Sequence, residues 1–276
     1  MRLTERDREI LKMVNDCRAL LGSQIRELFF KSRSTAQYRL QRLYQHEYLD
    51  RHFISVISGG PASSPVLYTI TRRGATILRE TFDYSEKELR IPRRRTFAWQ
   101  SIDHLLKLND FRVAVILAAR QHDWNLAEWW DETVFRADPD HTVVVDRRGR
   151  EKRKPVYPDS FFCLQVPQGQ ANFFVEIDTG TEPHSRFKPQ IEVYQAYTAR
   201  GQYRERYNTR SLRVLVITSS ATRLANLKET TLAAEGDRKY WFTTFDQVTG
   251  ETVLTTPIWQ RLESDELYAL ITSEPE

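Results

Sequence analysis

Pro158-Asp159 and, on the next strand-like segment, Glu176-Ile177-Asp178 bring three carboxylates close in sequence. Alternation along Asn172–Asp178 puts Glu176 and Asp178 on the face of Phe174, opposite Phe173, Val175 and Ile177. Two acids on one face of a core strand are costly unless they are paired or bind a metal. A hard divalent cation is held by just one or two such oxygens, with waters and a substrate phosphate completing its shell, and it activates water against a phosphodiester. Asp159, Glu176 and Asp178 are therefore candidate catalytic and metal-ligating residues for Mg²⁺ or Mn²⁺. The plain alternative is a set of strand-end carboxylates exposed to solvent.

The elements that position these acids follow from periodicity. Thr4-Glu5-Arg6-Asp7 forms a capping-box pattern ahead of Ile10, Leu11 and Val14. Ser23 opens a short second helix through Ile25, Leu28 and Phe29. A third helix runs from about Ser34 to Gln45, with Ala36, Leu40 and Leu43 inward. A hairpin follows, Arg51–Ile57 and Val66–Ile70, with a Gly-Pro-Ser tip at Gly59–Pro65, and Thr71-Arg72-Arg73-Gly74 opens a fourth helix. Three helices, a hairpin and a closing helix predict a winged helix-turn-helix over residues 1–81, whose third helix enters the major groove. Its candidate DNA contacts are Arg33, Thr35, Gln37, Tyr38, Arg39 and Arg42, with Arg51, Arg72 and Arg73 assigned to phosphates.

Residues 82–98, containing Arg90 and Arg93-Arg94-Arg95, are expected as a basic linker. From Trp99 a long apolar helix, a strand at about 124–130 and a polar loop at 137–154 come first. Strands at Ser160–Val166 and Asn172–Ile177, a helix at Ser185–Ala199, the strand Leu212–Thr218, a helix at Thr222–Ala234 and the strand Tyr240–Phe245 follow. The fold class is α+β, with residues 99–276 forming an α/β domain around a mixed central sheet.

The basic charge is uneven. Residues 1–100 hold 19 Lys and Arg against 11 Asp and Glu, and the remainder hold 22 against 26. A basic front part favours contact with a polyanion, double-stranded DNA above all, and an acidic remainder suits a cation site. Two cysteines far apart exclude a disulfide framework. With no signal peptide pattern or apolar run approaching 18 residues, the expectation is a cytoplasmic protein without a membrane span.

The second-domain pattern resembles the PD-(D/E)xK nuclease superfamily, with Pro158-Asp159 and Glu176-Ile177-Asp178 in its signature positions and Asp178 where a lysine is expected. That resemblance implies a restriction-endonuclease-like domain, with Lys188 on the following helix supplying the ammonium. Gln190 and Tyr194, four apart on one helical face, are similar to a motif of RecB-like nucleases, although Tyr194 would equally pack on the sheet. Thr179, Thr181 and Glu182 are further metal or phosphate contacts, as is Asp110. His104 and Asn109 read as satisfied helix polar residues.

The chain as a whole resembles the replication-relaxation family of plasmid and mobile-element proteins. The matching residues are Leu3–Asp7, Leu67–Gly74, His104 with Asn109-Asp110-Phe111, Pro158-Asp159 and Glu176–Glu182. This implies replication, relaxation or mobilisation of a mobile element, with an endonuclease or nickase activity and a relaxase or replication protein as further partner. The alternatives are a non-catalytic accessory factor on a degenerate nuclease fold, or a transcriptional regulator, which would act as a homodimer on a palindromic site.

Overall fold

The computed structural model describes residues 1–54, 65–92, 99–146, 148–181, 183 and 187–272. The hairpin tip, Arg93-Arg94-Arg95, Glu182 and residues 184–186 at the expected start of a helix lie outside the described residues. The protein is α+β, with several helices and a large mixed sheet, and divides into two compact units, Met1–Val113 and Ala114–Glu276.

In the first unit, α1 (Glu5–Asp16) starts at the expected capping box. The Thr4 hydroxyl accepts from the Asp7 amide at 3.3 Å, and the Thr4 amide donates to the Asp7 carboxylate at 2.6 Å. Then come β1 (Leu20–Leu21), α2 (Gly22–Phe29), α3 (Arg33–Gln45), β2 (Leu49–Phe53), β3 (Val66–Ile70) and α4 (Arg72–Phe82). The three strands form an antiparallel sheet in the order β1-β3-β2. α3 buries Ala36, Leu40 and Leu43 as its periodicity requires. The stretch expected as a linker is fastened to α1 over part of its length. The Asn15 amide group donates to the Glu88 carbonyl, its side-chain oxygen accepts from the Arg90 amide, and the Tyr84 hydroxyl donates to Asp16.

Thr71 caps α4 by accepting from the Gly74 amide at 3.1 Å. Gly74 is there because nothing larger fits: an added Cβ would stand 2.3 Å from the Tyr48 carbonyl oxygen and 2.7 Å from Ile70 Cδ1. Gly74→Ala is therefore expected to destabilise the first unit by about 1–3 kcal/mol, although alanine is the better helix former by about 1 kcal/mol. A urea midpoint unchanged or raised in the variant would show that the backbone yields there.

α5 (Trp99–Gln121) gives its first part to the first unit. Asn109 donates to the carbonyls of Cys17 and Ala19 at 3.2 and 2.7 Å, and Asp110 accepts from Gln24 at 2.7 Å. Asn109 thus terminates polar backbone groups, as expected of it.

The second unit is built on a seven-stranded sheet. Its strands are β4 (Asn125–Asp131), β7 (Ser160–Val166), β8 (Gly169–Asp178), β9 (Arg213–Thr218), β10 (Tyr240–Thr244), β11 (Trp259–Arg261) and β12 (Leu267–Tyr268), in the order β12-β11-β10-β9-β8-β7-β4. β8, β9 and β10 are parallel and the other neighbours antiparallel, so the sheet is mixed. Its helices are α6 (Glu132–Ala137), α7 (Lys188–Ala199), α8 (Tyr203–Arg206) and α9 (Ala221–Ala233). One core gathers Phe161, Phe174, Val214, Val216 and Phe242 with Tyr194 and Tyr197 of α7. The expected polar loop at 137–154 contains a separate two-stranded ladder of β5 (Asp140–Val145) and β6 (Glu151–Val156). Among the described residues no helix is long and apolar enough to cross a membrane.

Candidate functional site

β7 and β8 pair antiparallel with Ser160 opposite Val175, so Asp159, one residue before β7, comes beside Glu176. The connection is direct: Asp159 Oδ2 accepts from the Ile177 amide at 2.8 Å. β8 has a neighbour on either side and helices over Phe174, which leaves Glu176 only 6% exposed. Glu176 Oε1 accepts from Gln190 Nε2 at 2.8 Å and from the Tyr194 hydroxyl. Gln190 also donates to the Tyr194 oxygen at 3.0 Å and the Tyr157 carbonyl at 3.3 Å, so the two α7 residues four apart work as one clasp. Glu176 Oε2 accepts no hydrogen bond among the described residues.

Burial first, and then the neighbouring Asp159 carboxylate, push the Glu176 carboxyl well above its ordinary range, and the Tyr194 and Gln190 hydrogen bonds only partly offset this. Burial and the charge of Glu176 likewise push the Tyr194 phenol up. Glu176 is thus a buried carboxyl that holds its proton more firmly than an exposed one does.

Asp178 is engaged elsewhere. Its two oxygens accept from Arg223 at 2.7 and 2.8 Å in a bidentate pair, and Thr218 donates to it at 2.6 Å. Burial works to raise the Asp178 carboxyl, but the hydrogen bonds from Arg223 and Thr218 prevail and hold it below the usual range. Thr218 is set there by the parallel register, which aligns Asp178 with Thr218, and Arg223 by the first turn of α9, capped by Ser220. Neither residue was legible as a partner of Asp178, because the chain between them separates Thr218 by 40 positions and Arg223 by 45. Among the described residues no group of three His, Cys, Asp or Glu is arranged around a common metal position.

Lys188 is the first residue of α7, half-buried, and its side chain forms no hydrogen bond or ion pair among the described residues. Thr179 and Thr181 bond each other at 3.1 Å across Gly180, whose φ is +79°.

In the first unit, Arg33, Thr35, Gln37 and Tyr38 are exposed on α3, Tyr38 to 63%, and Arg42 is half-buried. Arg39 turns inward instead, its guanidinium gripping both oxygens of Asp7. Arg51 stands 4.6 Å from the ring centre of Tyr44 and 5.2 Å from that of Phe53. Arg73 lies 4.9 Å over Tyr48, and Arg72 is exposed.

The profile of a protein family described as replication-relaxation matches residues 11–212, which include Asp159, Glu176, Asp178 and all of α7 but not Arg223. No curated protein and no solved structure matches the chain.

Proposed function

The chain belongs to the replication-relaxation family, and from that premise we propose that it is a DNA-binding factor of plasmid or mobile-element replication or relaxation, with a metal-dependent nicking site at Asp159 and Glu176. The first unit reads as a winged helix-turn-helix. Arg33, Thr35, Gln37 and Tyr38 of α3 meet the major groove, and Arg42, Arg51, Arg72 and Arg73 meet phosphates. Arg39 is left out of that interface, because its charge is answered by Asp7. The second unit reads as nuclease-like.

The observation that carries the reading is the carboxylate pair itself, with Oε2 of Glu176 left over while Oε1 is held. A buried acid whose proton affinity is raised by burial and by an adjacent carboxylate fits a hard divalent cation, which needs only one or two carboxylates. Asp159 and Glu176 would hold Mg²⁺ or Mn²⁺, which when bound supplies Lewis-acid polarisation of water and phosphate. Tyr194 and Gln190 fix the orientation of the Glu176 carboxyl. The Ile177 amide fixes that of Asp159.

A second reading, a non-cleaving DNA-binding factor, draws on the Asp178–Arg223 pair. Where the nuclease resemblance expects a free ammonium there is a neutralised ion pair, and charge stabilisation would have to come from Lys188. Supercoiled plasmid incubated with Mg²⁺, Mn²⁺ or EDTA separates the two. Nicking is expected only with metal, and Asp159→Ala should lower it on the order of 10²–10³-fold or more while DNA affinity is kept. DNA binding without cutting under every metal condition would leave the second reading.

A further inference from the structure

β5 and β6 pair from Asp140 with Val156 to Val145 with Glu151, outside the seven-stranded sheet. The base of this hairpin is anchored. Val156 is buried in the core, and Asp140 accepts from the Tyr197 hydroxyl and from Arg206. Its outer part is uncovered, with residues 148–154 all exposed.

Six of the nine residues from Asp146 to Lys154 are Lys or Arg, and two are acids. Asp146 shapes the turn by accepting from the amides of Arg148 and Arg150, and it pairs with the Arg150 and Lys152 side chains at 2.9 and 3.5 Å. Glu151 is the other acid. The side chains of Arg148, Arg153 and Lys154 form no hydrogen bond or ion pair among the described residues.

β6 runs directly into Tyr157-Pro158-Asp159. Tyr157 is 42% exposed, and the Arg136 guanidinium, itself paired with Glu132 at 3.3 Å, stands 6.0 Å from the centre of its ring. The Tyr157 carbonyl accepts from the same Gln190 amide group that holds Glu176. Exposed cations on both faces of β6, Arg153 on one and Lys154 on the other, and an exposed aromatic ring thus end two residues from Asp159.

We infer that this hairpin and Tyr157 form the track along which a single, unpaired DNA strand is led to the carboxylate pair. Cations that follow phosphates combined with a ring that stacks a base are the means by which single strands are held, and the ring needs a base face that a duplex keeps stacked. Six residues of strand span about 20 Å, enough for several nucleotides. The inference rests on the reading of Asp159 and Glu176 as the site that faces a phosphodiester, and it narrows the substrate there to an unpaired strand.

The test is fluorescence anisotropy of the full chain with a labelled single-stranded oligonucleotide and with its duplex, in EDTA across a salt series. Tyr157→Ala should weaken single-strand binding about five- to a hundredfold, and Tyr157→Phe should preserve it. The Arg153→Ala, Lys154→Ala double variant should flatten the single-strand salt slope by about 1.4, or about 0.7 for each lost phosphate contact. Duplex affinity, carried by α3, should be unchanged, and all three positions are exposed, so equal melting temperatures serve as the control for folding. Absence of single-strand binding, variants without effect on it, or equal losses on both DNA forms would each overturn the inference. Because no metal is present, these arms are independent of cleavage. An intact track on a protein that never nicks would count against the proposed activity alone.

Discussion

Asp7→Ala is expected to destabilise the first unit by about 3 kcal/mol, the largest loss of stability foreseen for a single side chain here. Asp7 is 0% exposed and carries two tasks at once. It closes the capping box of α1 with Thr4, and it receives both arms of the Arg39 guanidinium from α3. Removing it opens the helix end and strands a cation at the junction of two helices. Arg39 retains 23% exposure and can turn towards water, which keeps the loss at the lower end of what a broken buried pair costs. The dependence on pH has a definite sign. Burial tends to raise the Asp7 carboxyl, but the hydrogen bonds from Arg39 and Thr4 prevail and hold it below its ordinary value. Its contribution is therefore complete above about pH 4 and is lost as the pH falls through its own lowered value. Denaturant melts at neutral and acid pH read this directly, and wild type and Asp7→Asn should converge only on the acid side. If Asp7→Ala matched wild type at neutral pH, the pair would be a surface contact of no consequence.

Wherever local period decided the outcome, the sequence was readable. The Thr4–Asp7 capping box, the inward Ala36, Leu40 and Leu43 of α3, and the alternation that sets Glu176 with Phe174 all depend on neighbours within four residues. Gln190 and Tyr194 shared a face for the same reason, and the parallel β8–β9 crossover that contains α7 then placed that face over Glu176. Partners chosen by tertiary structure were not readable. Arg39 occupies a polar position of α3, and only the packing of α1 brings Asp7, 32 positions earlier, beneath it. Asp178 meets Arg223 across the β8–β9 crossover, 45 positions on. The β5–β6 hairpin was hidden because charged residues outnumber the apolar ones that would mark a strand, with only Val143, Val144 and Val145 as a trace. A polar outer part of that kind is what a ladder outside the main sheet can tolerate, since only its base, at Val156 and Thr142, has to be buried.

Adding Mg²⁺ to the metal-free protein should stabilise it by about 2.7 kcal/mol at a hundredfold excess over Kd, and at a fixed Mg²⁺ concentration the gain should grow with pH. Glu176 sets this direction. Its carboxyl is pushed up by burial and then by Asp159, so the folded chain holds its proton more firmly than the unfolded chain does. Stability from this group is complete below the ordinary glutamate value of about 4.3 and is lost as the pH rises through the folded value. Glu176→Gln keeps an oxygen for Tyr194 and Gln190 and cannot ionise, so in EDTA the variant should gain on wild type steadily as the pH rises. A divalent cation at the proposed site would bind the ionised carboxylates and would have to displace that proton. The stabilisation it gives wild type is therefore small at about pH 5 and larger at about pH 8. Glu176→Gln and Asp159→Asn should both lose it, because each removes one of the two charges. Calorimetric melts of the three proteins with Mg²⁺ and with EDTA measure both effects without reference to cleavage. Equal stabilisation of all three would place the cation somewhere other than this pair. A wild-type protein that keeps pace with Glu176→Gln in EDTA across that range would mean that the buried carboxylate is not strained by its neighbour, and the physical case for a cation between Asp159 and Glu176 would be gone.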